Sequence, residues 1–143
     1  MARIQIDFPE QILFTTTIEV RVTDLNYGGH LGNDALLSLL HESRVRFLHA
    51  LGFTELNVAG VGIIMADAGI QYKSEAYSGE ILTIEIAVSD FSKVSFDIFY
   101  RVHSNGRIVA IAKTGIVCYD YAAKKVMPVP AAFAAAVAEM EKR

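Results

Sequence analysis

The chain has 143 residues, 52% of them apolar and 20% charged, with a formal net charge of -3. That length and balance suit one folded domain with a sizeable core and exclude a disordered chain. The negative balance, with Lys and Arg scattered, gives no general attraction to nucleic acid or to an anionic membrane surface. Cys118 is the single cysteine, so no disulfide within one chain and no multi-cysteine zinc site is possible. "MARIQIDFPEQ" carries charges and a proline where a secretory signal needs an unbroken apolar run, and no apolar run reaches bilayer length. A cytoplasmic location is expected, with neither a nucleic-acid nor a membrane partner.

Residues 12–22, "ILFTTTIEVRV", are β-branched and alternate, with Ile12, Phe14, Ile18 and Val20 on one face and Thr15, Thr17, Glu19 and Arg21 on the other. This pattern predicts a strand with one polar side. In "NDALLSLLHESRVRFLHALG" the period changes: Leu36, Leu40, Phe47 and Leu51, with Leu37 and Leu48 beside them, recur at helical spacing, and Arg44 is the one polar residue on the stripe. Gly32 or Asn33 can start this helix and Gly52 can end it in a left-handed conformation. "VGIIMADAGIQYKS", "GEILTIEIAVSDF", "KVSFDIFYRVHS" and "RIVAIAKTGIVCYD" then read as four strands. Asn105-Gly106 suits a type I′ hairpin turn, and "KKVMPVP" is extended. "AAFAAAVAEMEKR" predicts a short terminal helix. One long apolar-striped helix against one antiparallel sheet is an α+β, two-layer arrangement. Such a sheet leaves an edge open, so association into a homodimer or homotetramer is expected.

Between the first strand and the helix lies "TDLNYGGHLGND", twelve residues rich in glycine, asparagine and aspartate around a single histidine. The segment "VRVTDLNYGGHLGNDALLSLLHESRVRFLHALG" resembles the opening of the hotdog-fold acyl-CoA thioesterases of the 4-hydroxybenzoyl-CoA thioesterase type. In those, a strand ends in a D-x-D-x-x-G-H-V-N-N-like segment leading into a helix. "GIQYKSEAYSGEILTI" and "RIVAIAKTGIVCYDYAAKKVMPVP" are similar to later strands of the same family. The resemblance runs from about residue 14 to residue 134. It implies a single hotdog domain over 1–143, an antiparallel sheet of five strands or slightly more wrapped around one long central helix. It also implies hydrolysis of an acyl-CoA thioester, with coenzyme A as part of the substrate, its pantetheine arm entering between subunits, and no separate cofactor.

On this resemblance Asp24 falls on the motif's first acidic residue, and Gly29, His30 and Asn33 on its Gly, His and second Asn. Asn26 stands where many members carry the catalytic aspartate, Gly32 replaces the first Asn, and Glu42 matches an acidic residue common on the central helix. Asn26 cannot take a proton, so His30, Asp24 or Glu42 would supply the base while Asn26 orients water.

A thioesterase must stabilise an oxyanion, and backbone N–H groups at a helix start do so well. Gly28, Gly29, His30 and Leu31 offer such amides; the alternative is a tight connection needing positive φ. His30 could equally cap the turn, and Glu42 could pair with Arg46 at i,i+4. Asp67, among the small residues of "ADAG", is either exposed at a sheet edge or beside the site, and Tyr72 is read as structural. His41, His49 and His103 show no metal-ligand spacing, no Gly-x-Ser-x-Gly elbow occurs, and Rossmann and P-loop patterns are absent. The alternatives in function are a non-hydrolytic acyl-CoA or CoA-binding protein, an acyl-carrier-protein thioesterase, and, last, a hydratase.

Overall fold

The computed structural model describes residues 1–143. The β-branched run forms strand β1 (Phe14–Glu19), followed by a 3-10 turn over Val22–Asp24 and helix α1 (Asn33–Ala50). Strands β2 (Gly62–Tyr72), β3 (Ile81–Ser89), β4 (Ser95–Ser104), β5 (Arg107–Asp120) and β6 (Lys125–Val126) come next, and helix α2 (Ala131–Glu141) closes the chain. All strands belong to one six-stranded antiparallel sheet in the order β1-β3-β4-β5-β2, with β6 paired to β5. The expected α+β layout therefore holds, with the short β6 drawn from the segment read as extended. β1 stops short of residue 22 because Asp24 folds back on Arg21 and turns the chain.

Gly32 is the extended N-cap of α1, and Gly52, at φ +86°, follows its last residues. Asn105 and Gly106 both have positive φ, 52° and 76°, as a type I′ hairpin requires. On α1 the buried apolar residues are Leu36, Leu39, Leu40, Phe47 and Leu48. Leu37, expected on the stripe, is instead 36% exposed, and Leu39 takes the buried place. The two are two residues apart, about 200° around a 3.6-residue helix, so they lie on opposite flanks of the stripe.

The inner face of the sheet and α1 share a core of fully buried side chains, among them Leu40, Phe47, Ile84, Ile98 and Tyr100. Arg44 on the apolar stripe is explained by its partners. Its Nε donates to Glu55 Oε2 at 2.9 Å and its Nη1 to the Tyr100 hydroxyl at 3.1 Å, which also meets Thr114 Oγ1 at 2.8 Å. A buried guanidinium with no such partners would be strongly unfavourable.

Residues 4–8 lie across the outer face. Ile6 packs with Ala87 and Phe99, and the Arg101 guanidinium sits 4.5 Å from the centre of the Phe8 ring. β2, eleven residues long, ends the sheet with a partner only on its β5 side. No helix is long and apolar enough to cross a membrane.

Candidate active site

The junction between β1 and α1 is a closed loop built on Asn26. Its backbone N–H donates to the His30 carbonyl at 2.8 Å, while its own carbonyl accepts the Gly29 amide at 3.1 Å. The Asn26 side-chain Oδ1 accepts two further amides, from Gly28 at 2.9 Å and from His30 at 3.3 Å. Because Oδ1 must face these donors, Nδ2 points away from the loop, and it makes no hydrogen bond within the chain. Gly29 takes φ +79°, which a side chain would disfavour. The geometry fits the tight-connection reading of the glycines: Gly29 needs positive φ, and hydrogen bonds within the chain occupy the amides that the oxyanion reading required to be free.

Two more bonds fix the loop in place. The Leu31 amide donates to the Ala76 carbonyl at 2.8 Å and the Gly32 amide to the Asp24 carbonyl at 2.9 Å. All five amides from Gly28 to Gly32 are thus engaged inside the chain. The first unengaged donors are those of Asn33, Asp34 and Ala35, the opening residues of α1, which have no acceptor in the chain. The helix N-terminus carries the partial positive charge that an oxyanion needs, and its free amides lie after the stretch the sequence suggested.

Asn26, His30, Leu31 and Asn33 line one pocket of about 310 Å³, together with Tyr72 and Glu75. The Tyr72 hydroxyl donates to the Asn33 carbonyl at 3.2 Å and so braces the helix start, as its structural reading required. Burial and the charge of Asp34 raise the Tyr72 pKa, keeping it a neutral donor. His30 places Nε2 3.3 Å from Glu75 Oε2, and its ring meets the Tyr77 ring edge-on at 5.4 Å. Its Nδ1 faces Gly28: a methyl group there would stand 3.4 Å from Nδ1 and 3.3 Å from Asn26 Oδ1. Glu75 and Tyr77 were not singled out from sequence, because they sit in a loop after β2, forty-odd residues from His30; their only local signal is the Glu-x-Tyr following the tyrosine strand.

The other expected residues lie elsewhere. Asp24 is buried, and its carboxylate accepts the Arg21 amide at 2.9 Å and the Arg21 guanidinium at 3.1 and 3.2 Å, which holds its pKa below the ordinary carboxylate value. Glu42 pairs with Arg46 at 2.7 Å on the exposed side of α1, and Arg46 continues to Thr16 Oγ1 and the Thr17 carbonyl. Asp67 lies at a β-bulge in β2, where Oδ1 accepts the Gly115 amide at 3.0 Å and meets Lys113 Nζ at 2.8 Å. That lysine lowers the Asp67 pKa. Gly28 and Gly29 belong to the loop but do not line the pocket. No group of three or more His, Cys, Asp or Glu side chains is placed to hold a metal ion.

The model of the thioesterase-like superfamily matches residues 20–137, which take in strands β2 to β6, helix α1 and most of α2. The chain is 27% identical over 117 residues to a 1,4-dihydroxy-2-naphthoyl-CoA hydrolase of Synechococcus elongatus, covering 78% of this chain and 85% of that enzyme. Its fold is similar to that of a 1,4-dihydroxy-2-naphthoyl-CoA thioesterase from Synechocystis, with a TM-score of 0.80 at 21% identity over 88% of this chain and 96% of the other. A gentisyl-coenzyme A thioesterase is similar at a TM-score of 0.76 and 20% identity, over 85% and 99% of the two chains. The chain belongs to the thioesterase-like superfamily, a family of thioester hydrolases.

Proposed function

We propose that this protein hydrolyses acyl-CoA thioesters, with the reaction centred on the pocket at the start of α1. One observation carries this: Asn26, His30 and Asn33, whose amide is unengaged, line the same pocket. The thioester carbonyl oxygen lies against the Asn33 amide, where the helix dipole favours the negative charge that develops. Asn26 Nδ2 donates to the attacking water. His30 Nδ1 takes a proton as the water oxygen bonds to the carbonyl carbon, and the C–S bond then breaks. The proton passes from the imidazolium to the departing thiolate, leaving free acid and CoA.

Asp24 and Glu42 are engaged by Arg21 and Arg46 and are not needed as bases. In solution the protein is a cytoplasmic homodimer joined along the free edge of β2. Support for this comes from exposed Met65 on that strand, with Leu37 and Leu56 beside it. An edge with unpaired backbone and exposed apolar side chains favours a second copy.

The test is thiol release from short, long and aromatic acyl-CoAs, including 1,4-dihydroxy-2-naphthoyl-CoA, by the wild type and by His30→Gln, with the solution mass measured by light scattering. Hydrolysis of at least one CoA ester, lost in a folded His30→Gln variant, is expected. CoA esters that bind without turnover, or release only from acyl-carrier-protein thioesters, would overturn the substrate assignment.

A further inference from the structure

The Glu75–His30–Tyr77 cluster joins two loops that are far apart in sequence. Glu75 Oε2 lies 3.3 Å from His30 Nε2 and accepts the Tyr77 hydroxyl at 3.0 Å, while the Tyr77 ring edge packs on the imidazole. The backbone beneath Glu75 is held from both sides. Its carbonyl accepts Arg107 Nη2 at 2.7 Å, and that guanidinium is forked onto Glu80 at 2.7 and 2.8 Å. The next carbonyl, that of Ala76, accepts the Leu31 amide at 2.8 Å, one residue beyond His30. Carboxylate and imidazole are therefore placed by one frame, although Glu75 itself is largely exposed.

We infer that Glu75 is a positioning residue for the thioesterase reaction: it fixes the tautomer and orientation of His30, and Tyr77 fixes Glu75. This rests on the assignment of His30 as the base. A carboxylate oxygen accepts only, so the neutral imidazole facing it carries its hydrogen on Nε2. The lone pair is then on Nδ1, the nitrogen that lies beside Gly28. As Nδ1 takes the proton of the attacking water, the imidazolium that forms lies beside the Glu75 carboxylate, which supports its charge. The proton then leaves from Nδ1 to the thiolate, and Nε2 keeps its hydrogen throughout. The remaining charged group at the pocket is Lys73, on the segment that leads to Glu75. The arrangement follows the general logic of a base oriented by a third group.

The same contacts could form an ordinary exposed ion pair that merely fastens two loops, and such pairs contribute little. The experiment separates the two. Steady-state hydrolysis is measured for Glu75→Ala, Glu75→Asp and Tyr77→Phe on the CoA ester that the wild type turns over best. The His30 tautomer is read in each by long-range 1H–15N NMR of the ring. Glu75→Ala is expected to lower kcat about 10- to 100-fold with KM nearly unchanged, a share of the ~10²–10⁴ that a positioned base supplies. The ring should shift from the Nε2–H form toward a mixture. Glu75→Asp should recover part of the rate, and Tyr77→Phe should lose less than Glu75→Ala.

An unchanged kcat in Glu75→Ala beside an inactive His30→Gln would overturn the positioning role while leaving His30 as base. Unchanged activity in His30→Gln would instead overturn the assignment of the base itself. An unmoved tautomer in Glu75→Ala with a fallen kcat would also overturn the inference, since the loss would then not act through His30.

Discussion

Substitution of Asn26 separates what the residue does for the loop from what it does for the chemistry. Its Oδ1 accepts two amides, from Gly28 at 2.9 Å and His30 at 3.3 Å. A neutral hydrogen bond contributes about 0.5–1.5 kcal/mol net, and an exposed loop lies toward the low end. Asn26→Ala is therefore expected to destabilise the fold by about 1–2 kcal/mol. For a chain of this size that is a fall in Tm of roughly 3–8 °C. Asn26→Asp keeps an acceptor at the same place and makes both bonds charge-assisted, so its stability at neutral pH should match or exceed the wild type. Its second oxygen replaces Nδ2 and can accept a proton, which the amide cannot.

The assay is thermal unfolding of both variants, and kcat/KM for wild type, His30→Gln, Asn26→Asp and the double variant Asn26→Asp/His30→Gln. Loss of the base should cost about 10²–10⁴ in His30→Gln. The double variant should recover at least about 10-fold of this, because a carboxylate now stands beside the water. Two results would refute the reasoning. A double variant no faster than His30→Gln means that position 26 does not face the reacting water. An Asn26→Asp protein as unstable as Asn26→Ala means that Oδ1 is not what holds the loop.

The other predictions concern the residues around this loop. Gly28→Ala, at a position without positive φ, should fold with little change in Tm yet lose at least about 10-fold in kcat, because the methyl group crowds Nδ1; thiol-release kinetics with thermal unfolding checks it. Asp24 has its folded pKa lowered from 3.8, so its contribution to stability is complete above the unfolded value and lost as pH falls through the lowered one. Wild type should thus exceed Asp24→Asn in stability by a constant amount above about pH 5, with the gap closing as the pH falls below the ordinary carboxylate range in urea unfolding series. Ile6→Ala should destabilise by about 2 kcal/mol, the lower end for a buried truncation because its cluster is small. Urea unfolding measures this, and a change near zero would mean that residues 4–8 do not hold the outer face.

Most of the fold was legible because the signals were local. The change from alternating to helical spacing after residue 32, the positive-φ pair Asn105-Gly106 and the stop at Gly52 each depend on a few adjacent residues. Leu37 was misplaced because neighbouring leucines satisfy the helical period almost equally well. Residues 4–8 showed no pattern because Ile6 and Phe8 acquire meaning only against Ala87, Phe99 and Arg101, which arrive from β3 and β4. In the site, Asn26, His30 and Asn33 were visible in one motif-like stretch. Glu75 and Tyr77 were not, since only the packing of one loop on another brings them to His30. Nor could spacing say which amides remain free: "YGGHLG" offers many, and folding engages all five from Gly28 to Gly32.

That engagement gives the asparagine a physical rationale. A carboxylate at position 26 would accept the same two amides and leave an anionic oxygen in the pocket. An amide accepts them and leaves a donor, so the loop keeps its shape while the pocket loses a negative charge close to where the proposed mechanism puts the oxyanion. The two arrangements then place the base differently. With aspartate it would stand in the loop itself; with asparagine the proposed mechanism draws it from a neighbour, His30, whose Nδ1 lies beside Gly28. An imidazole needs an acceptor on its far nitrogen to be held as one tautomer, and Glu75 stands there at 3.3 Å. On the proposed mechanism Asn26, His30 and Glu75 act as a linked set, and exchanging the first for aspartate should weaken the requirement for the other two.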